Sequence, residues 1–265
     1  MITLDPIHAT AQSSQTRYPL CKILSVENVP AIPFNGELLS TATPNEQNPA
    51  ARVHSTGRLF VAFAIDSGAS DSLRYGYTDT ARTFFTYVDL AVLSGRTVGE
   101  ICFCEMADGY IGVIWEENYG GTRSIKYRKI TVTGVDIIPA VTGTILTNAT
   151  ADFFTGPCVE KMADDSYLMV YGVMAATHYH LYRRTSADFV TWSAASEIDT
   201  SGLTDTLRKA NPALLIEAGG DLWLLFDYLE SVGPNGEELT NCYYISSTDK
   251  LATASGETAL TSYAN

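Results

Sequence analysis

Tyr77-Thr78-Asp79-Thr80-Ala81-Arg82-Thr83-Phe84 recurs in altered form at Ser186-Ala187-Asp188-Phe189-Val190-Thr191-Trp192 and again at Ser247-Thr248-Asp249-Lys250-Leu251-Ala252-Thr253. Each copy follows a short aromatic, β-prone run, at Leu73 to Tyr77, Tyr179 to Arg183 and Cys242 to Ile245. Each places an Asp four residues, or three in the middle copy, before a Thr. This layout suits a tight turn between two strands. The carboxylate accepts backbone N–H bonds within the turn, and the Thr and the aromatic after it (Phe84, Trp192) begin the next strand. Recurrence at wide, regular spacing marks internal repeats.

A second element fixes the period. Leu59 to Phe63, Tyr110 to Trp115, Tyr167 to Tyr171 and Leu222 to Phe226 are apolar runs that each follow a turn, and taking Gly57, Gly109, Asp165 and Gly220 as equivalent gives steps of 52, 56 and 55 residues. Before each turn lies one more strand, at Asn48 to Val53, Glu100 to Glu105, Gly156 to Glu160 and Asn211 to Ile216, and three of the four carry Pro near the start. Pro is tolerated at a strand's first residue, so it is read here as a strand opener. Each unit is strand A, turn, strand B, longer loop, strand C, Asp-containing turn, strand D. Several strands per unit at a period near 50 residues predict an all-β propeller of four-stranded blades.

The 265 residues suffice for one large β domain, with 46% hydrophobic residues, 18% charged and 15 Tyr. A net charge of −13, with no basic run longer than two residues, argues against nucleic acid and anionic membranes, which need clustered Lys and Arg. No apolar run of about 18 residues is present, so membrane insertion through a helix is not expected. Met1 to Pro6 lacks the basic start and apolar core of a signal peptide. Five cysteines, Cys21, Cys102, Cys104, Cys158 and Cys242, form no C-x-x-C pair and read as small buried hydrophobes. His178 and His180 alternate on a strand without a third ligand at metal-site spacing, and no metal or cofactor is expected.

Residues 1–20 read as a flexible or docking segment and 21–265 as the propeller. The units run about 48–98, 99–155, 156–210 and 211–265, and 21–47 is a partial or closing unit. About five blades are expected, and more if this is part of a longer chain.

The boxes and strands resemble the sialidase-type β-propeller with its S-x-D-x-G-x-T-W Asp-box repeats, and less closely the five-bladed glycosidases of the arabinanase and xylosidase kind. The resemblance covers roughly residues 48–260. Tyr77 to Phe84 keeps Asp79, Thr83 and Phe84 in register with Ala81 in place of Gly; the copy with Asp188, Thr191 and Trp192 is one residue short; the copy with Asp249 and Thr253 lacks the aromatic. The second unit has no box, only Tyr127-Arg128-Lys129 leading to Gly134. A sialidase resemblance implies three arginines on a substrate carboxylate, a Tyr nucleophile and an Arg-Ile-Pro opening. This chain has Pro49-Ala50-Ala51-Arg52 there, and only Arg52 and Arg208 sit where a central arginine could. The overall texture also resembles propeller modules of tailed-phage structural proteins.

In propellers of this resemblance the D-to-A connections and B-to-C loops gather on one face. That rule nominates Asp66, Glu116, Glu117, Tyr119, Asp227 and Tyr228 after strand B, Arg52, Arg208 and Asn211 before or on strand A, and His178 in the third unit. Acids with a few aromatics suit sugar recognition, and Glu116 and Asp227 are the candidate pair for glycoside hydrolysis, which needs two carboxyl groups. The leading expectation is a non-catalytic virion protein, a phage tail or receptor-binding component located in the virion. It would recognise a surface glycan or a neighbouring virion protein, and a trimer is the oligomer that fits. The alternatives are a glycoside hydrolase on neutral polysaccharide and a purely structural scaffold.

Overall fold

The computed structural model describes residues 46–66, 70–80, 85–133, 137–148, 153–175, 178–200, 202–203, 209–217, 220–232, 238–253 and 255–260. These form four antiparallel four-stranded sheets, each a blade of a β-propeller. Blade 1 is β1 (Glu46–Val53), β2 (Leu59–Asp66), β3 (Ser70–Thr78) and β4 (Phe85–Ser94); blade 2 is β5 (Arg96–Glu105), β6 (Ile111–Tyr119), β7 (Thr122–Ile130) and β8 (Ile137–Asn148). Blade 3 is β9 (Phe153–Lys161), β10 (Tyr167–Ala175), β11 (His178–Ser186) and β12 (Ser196–Glu197); blade 4 is β13 (Lys209–Ile216), β14 (Leu222–Val232), β15 (Glu238–Ser247) and β16 (Thr258–Ala259). Within every blade the strands pair in chain order. The inner strands pack in sequence, β1 on β5, β5 on β9 and β9 on β13. The expected terminal segment and all but the last two residues of the partial unit at 21–47 lie outside the described residues, as does any fifth blade built from them.

The A-to-B turns are nearly identical in all four blades. Gly57, Gly109, Asp165 and Gly220 have φ of 87°, 79°, 61° and 92°. Each donates its N–H to the carbonyl three residues earlier, on His54, Met106, Met162 and Glu217, at 2.8 to 3.0 Å. The positive φ explains glycine at three of the four positions. From these turns the residues six further on are Phe63, Trp115, Tyr171 and Phe226, all buried, and they make one aromatic tier. Burying such a side chain contributes about 1.5–3 kcal/mol; for Trp115, Tyr171 and Phe226 that burial lies in the seams between blades, while Phe63 packs on Tyr87 of its own blade.

The seams are apolar and distinct. Phe60, Ala62 and Leu73 of blade 1 meet Val113 and Trp115 of blade 2; Ile114 and Tyr127 meet Met169 and Tyr171 of blade 3; Leu168 and Val170 meet Leu224 and Phe226 of blade 4. Of the cysteines, Cys104 is fully buried, Cys102 and Cys158 pack against the clusters as half-buried groups, Cys242 is half-buried outside them, and Cys21 lies outside the described residues.

Two readings need correction. Pro49, Pro157 and Pro212 do not open their strands; they lie inside β1, β9 and β13 at irregularities in the A–B register. The residue before each, Asn48, Gly156 or Asn211, has φ near 50°. A bulge leaves one extra residue outside the ladder, so the missing N–H of proline costs no hydrogen bond. In the third unit Thr191 and Trp192 do not begin strand D, which is reduced to Ser196–Glu197. Instead Phe189, at φ 65°, turns inward and is fully buried between Tyr127 and Tyr167, with ring centroids 5.2 and 5.1 Å away. Leu251, at φ 63°, fills the matching position in blade 4.

The box carboxylates do act as turn caps. Asp188 Oδ1 accepts the N–H groups of Val190 and Thr191 at 2.9 and 2.7 Å. Asp249 accepts the N–H of Thr253 at 2.9 Å and its hydroxyl at 2.5 Å. Asp79 is half-buried, while Thr83 and Phe84 lie outside the described residues.

Candidate functional site

Strand A begins, and strand B ends, at one end of each blade, here the rim; the A-to-B turns and the Asp boxes occupy the opposite end. The residues seven past the turn glycine or aspartate are Ala64, Glu116, Gly172 and Asp227. The two candidate carboxylates therefore occupy one equivalent position, in blades 2 and 4, where blades 1 and 3 carry side chains too small to do chemistry.

Glu116 is 5% exposed. Its Oε1 accepts a hydrogen bond from the Arg123 guanidinium on the neighbouring strand. A Cβ on Gly99 would stand 2.6 Å from Glu116 Oε2, so only glycine at that bulge leaves room for the carboxylate. Burial pushes the Glu116 pKa up, Arg123 pulls it back, and the Glu100 charge adds to the rise; the net direction is upward. Glu116 is thus a carboxyl that holds its proton more tightly than a solvated one. On the other face of β6, Glu117 is buried and its Oε1 takes a 2.6 Å bond from Arg96. The Arg96 guanidinium lies 4.8 Å over the ring of Tyr119, which is 56% exposed.

Asp227 accepts a 2.9 Å bond from Asn211 Nδ2, the bulge residue of its own blade. Asp66 stands opposite Asp71 at the end of the β2–β3 pair. Asp71 is buried and takes the Val98 N–H of blade 2 at 2.6 Å. Its pKa is raised, by burial first, with the Val98 bond opposing and the Asp66 charge adding.

Of the other nominated residues, Arg52 does not join this rim, Tyr228 turns its side chain away from it, and His178 opens β11 at the rim end of blade 3. Arg52 sits at the turn end of β1, and its two terminal nitrogens bond Glu160 Oε1 and Oε2 at 2.5 and 2.8 Å. Tyr228 is a core residue, 5% exposed and edge-on to Tyr243 at 5.4 Å, because its side chain points into the seam between blades 3 and 4. His178 lies on β11 opposite Ala175, and its neighbour His180 contacts Glu197 at 2.6 Å. Arg208 lies outside the described residues. Among the described residues no group of three or more His, Cys, Asp or Glu is placed to hold a metal ion. Sequence reasoning missed Arg123, Arg96, Asp71 and Gly99; the constant seven-residue offset from the turn was the available signal for pairing Glu116 with Asp227.

No family model matches this sequence, and no curated protein matches it significantly. Solved structures do. An α-L-arabinanase from Penicillium chrysogenum, solved with arabinobiose, is 14% identical, with a TM-score of 0.65 over 83% of this chain and 67% of that one. A family GH93 α-L-arabinofuranosidase from Fusarium graminearum is 13% identical, with a TM-score of 0.64 over 82% and 67%. A sialidase from Streptococcus pneumoniae is 17% identical, with a TM-score of 0.54 over 76% and 31%. This chain spans about two thirds of the length of the first two. At such identities the likeness is one of fold: this is a propeller of the kind on which these glycosidases are built. These neighbours agree with the glycosidase-propeller resemblance and give no support to the phage-tail one.

Proposed function

We propose that this chain is a carbohydrate-active propeller that hydrolyses a neutral glycan, with Glu116 as proton donor and Asp227 as the second carboxylate. One observation carries the reading: a buried carboxyl with raised pKa stands on the rim at the same position as a second acid two blades away. Glycoside hydrolysis needs one carboxyl that keeps its proton to give to the leaving oxygen, and another that acts as base or nucleophile. Arg123 would orient Glu116 and steady the carboxylate left after proton transfer, and Asn211 would orient Asp227. The acidic balance of the chain favours a neutral substrate, and the arabinanase and arabinofuranosidase among its structural neighbours make arabinan the first polymer to try.

The test is release of reducing ends from arabinan, xylan and bacterial surface polysaccharides, read together with bound protein. Wild-type release is expected, falling by about 10²–10⁴-fold in Glu116→Gln and Asp227→Asn with the fold intact. Absence of release from every polymer overturns the hydrolase reading.

A second reading, recognition of a surface glycan or a neighbouring virion protein without turnover, is favoured by one specific feature. Both candidate carboxylates are already engaged, Glu116 by Arg123 and Asp227 by Asn211. Binding without release would select it.

A further inference from the structure

The turn end of blade 4 carries a feature that the rim chemistry does not use. A solvent-open cleft of about 370 Å³ is lined by Asp221, Trp223, Thr248 and Ser255, with Ser246, Ser247 and Thr253 completing its wall. Trp223 and Asp227 lie four residues apart on β14, so the cleft and the rim acid are separated by about 13 Å at roughly 3.3 Å per residue.

The cleft is built rather than incidental. The Trp223 ring is held by Tyr244, with centroids 5.2 Å apart and planes at 50°, and its N–H is committed to Glu217 Oε1 at 2.9 Å. What the indole still offers a ligand is its face. The wall is fixed by the Asp box: Ser247 Oγ donates to Asp249 Oδ1 at 2.8 Å, and Asp249 holds Thr253 through both its N–H and its hydroxyl. Ser255 Oγ accepts the Ser246 N–H at 2.9 Å, tying the far side to β15. An immobilised aromatic face beside hydroxyls and one carboxylate matches a sugar ring, whose C–H face stacks while its hydroxyls exchange hydrogen bonds. Asp221 is the one ionisable group among the lining residues, so the cleft offers an anionic sugar no cation.

We propose that this cleft is a second saccharide site, for a short neutral segment of glycan, distinct from the rim carboxylates. It would hold a polymer on the Asp-box end of the propeller independently of any chemistry at the rim.

The experiment titrates the full chain with arabinotriose, xylotriose and mannotriose, and with N-acetylneuraminic acid and tetramethylammonium as controls. Calorimetry is followed beside intrinsic fluorescence. Of the three tryptophans only Trp223 lines the cleft, so a fluorescence change that is kept in Glu116→Gln and lost in Trp223→Ala reports on it. A neutral trisaccharide is expected to bind with a Kd in the millimolar range, to bind equally to Glu116→Gln, and to weaken about tenfold or more in Trp223→Ala. Thr248→Val, at an exposed position outside the core, is expected to weaken binding as well, which keeps the test decisive if Trp223→Ala fails to fold. No neutral sugar bound up to about 10 mM overturns the proposal. So does binding that survives both cleft variants, binding lost in Glu116→Gln alone, or a clear preference for tetramethylammonium or the anionic sugar. Loss of hydrolysis with cleft binding intact would strike only the rim reading.

Discussion

The carboxylates of this chain fall into two groups with opposite consequences for stability. Asp188 titrates at about 2, chiefly through the Thr191 and Val190 N–H groups, and Asp249 at about 2, chiefly through the Thr253 hydroxyl and N–H. Both lie below their ordinary value of 3.8, so the boxes add stability above that pH and lose it as pH falls through the folded value. Glu116 has the other sign. Its folded pKa is above 4.5, so it favours the folded chain below that pH and opposes it as pH rises through the folded value. We expect the unfolding temperature to drop between pH of about 4 and about 2, and to drop less in the Asp188→Asn/Asp249→Asn protein. Parallel curves for the two proteins would show that the boxes carry no such linkage. At this scale the box acids were legible, because an Asp–Thr spacing encodes a local turn. Asp71 and Arg123 were not: Asp71 meets Val98 of the next blade only after both blades are in place, and Arg123 meets Glu116 across a strand pair.

The A-to-B turn is the element on which the repeat is set, and its requirement can be separated from packing. A Cβ added at Gly109 would meet nothing within 4 Å, so Gly109→Ala tests the φ of 79° alone. It is expected to cost about 1–2 kcal/mol, the usual expense of a left-handed non-glycine residue. Asp165 already accepts that conformation at 61°, and Asp165→Gly is expected to leave stability unchanged or raise it by up to about 1 kcal/mol. Urea unfolding of both variants checks the pair; if Gly109→Ala is neutral, the turn does not need its glycine. The blades were legible because the turn and the strands around it recur at 52 to 56 residues. The bulges and the inward Phe189 were not, since a proline near a strand start reads the same whether it opens the strand or sits in a bulge. The positive φ that turns Phe189 inward, in place of the larger ring of Trp192, has no signature in the residue types around it.

Among the described residues one ion pair joins blades that are not neighbours. Arg52 on β1 passes β5, where it also donates to the Phe103 carbonyl at 3.3 Å, and clasps Glu160 on β9. Both side chains are mostly covered, at 28% and 17% exposure. Burial alone would lower the Arg52 pKa, yet the Glu160 charge and its hydrogen bond raise it, so the guanidinium stays charged. Blades 1 and 3 are thereby tied across the axis, a constraint that seam packing between successive blades does not supply. Removing one partner leaves the other charge covered and uncompensated, so Arg52→Met is expected to cost about 3–5 kcal/mol, and Glu160→Gln somewhat less because an amide remains. The double variant Arg52→Met/Glu160→Met is expected to recover most of that loss, since apolar replacements of similar volume remove the desolvation penalty together with the pair. A double-mutant cycle by equilibrium unfolding measures the coupling. Additive single losses would mean that the two residues act separately and that the seams alone hold the described blades together.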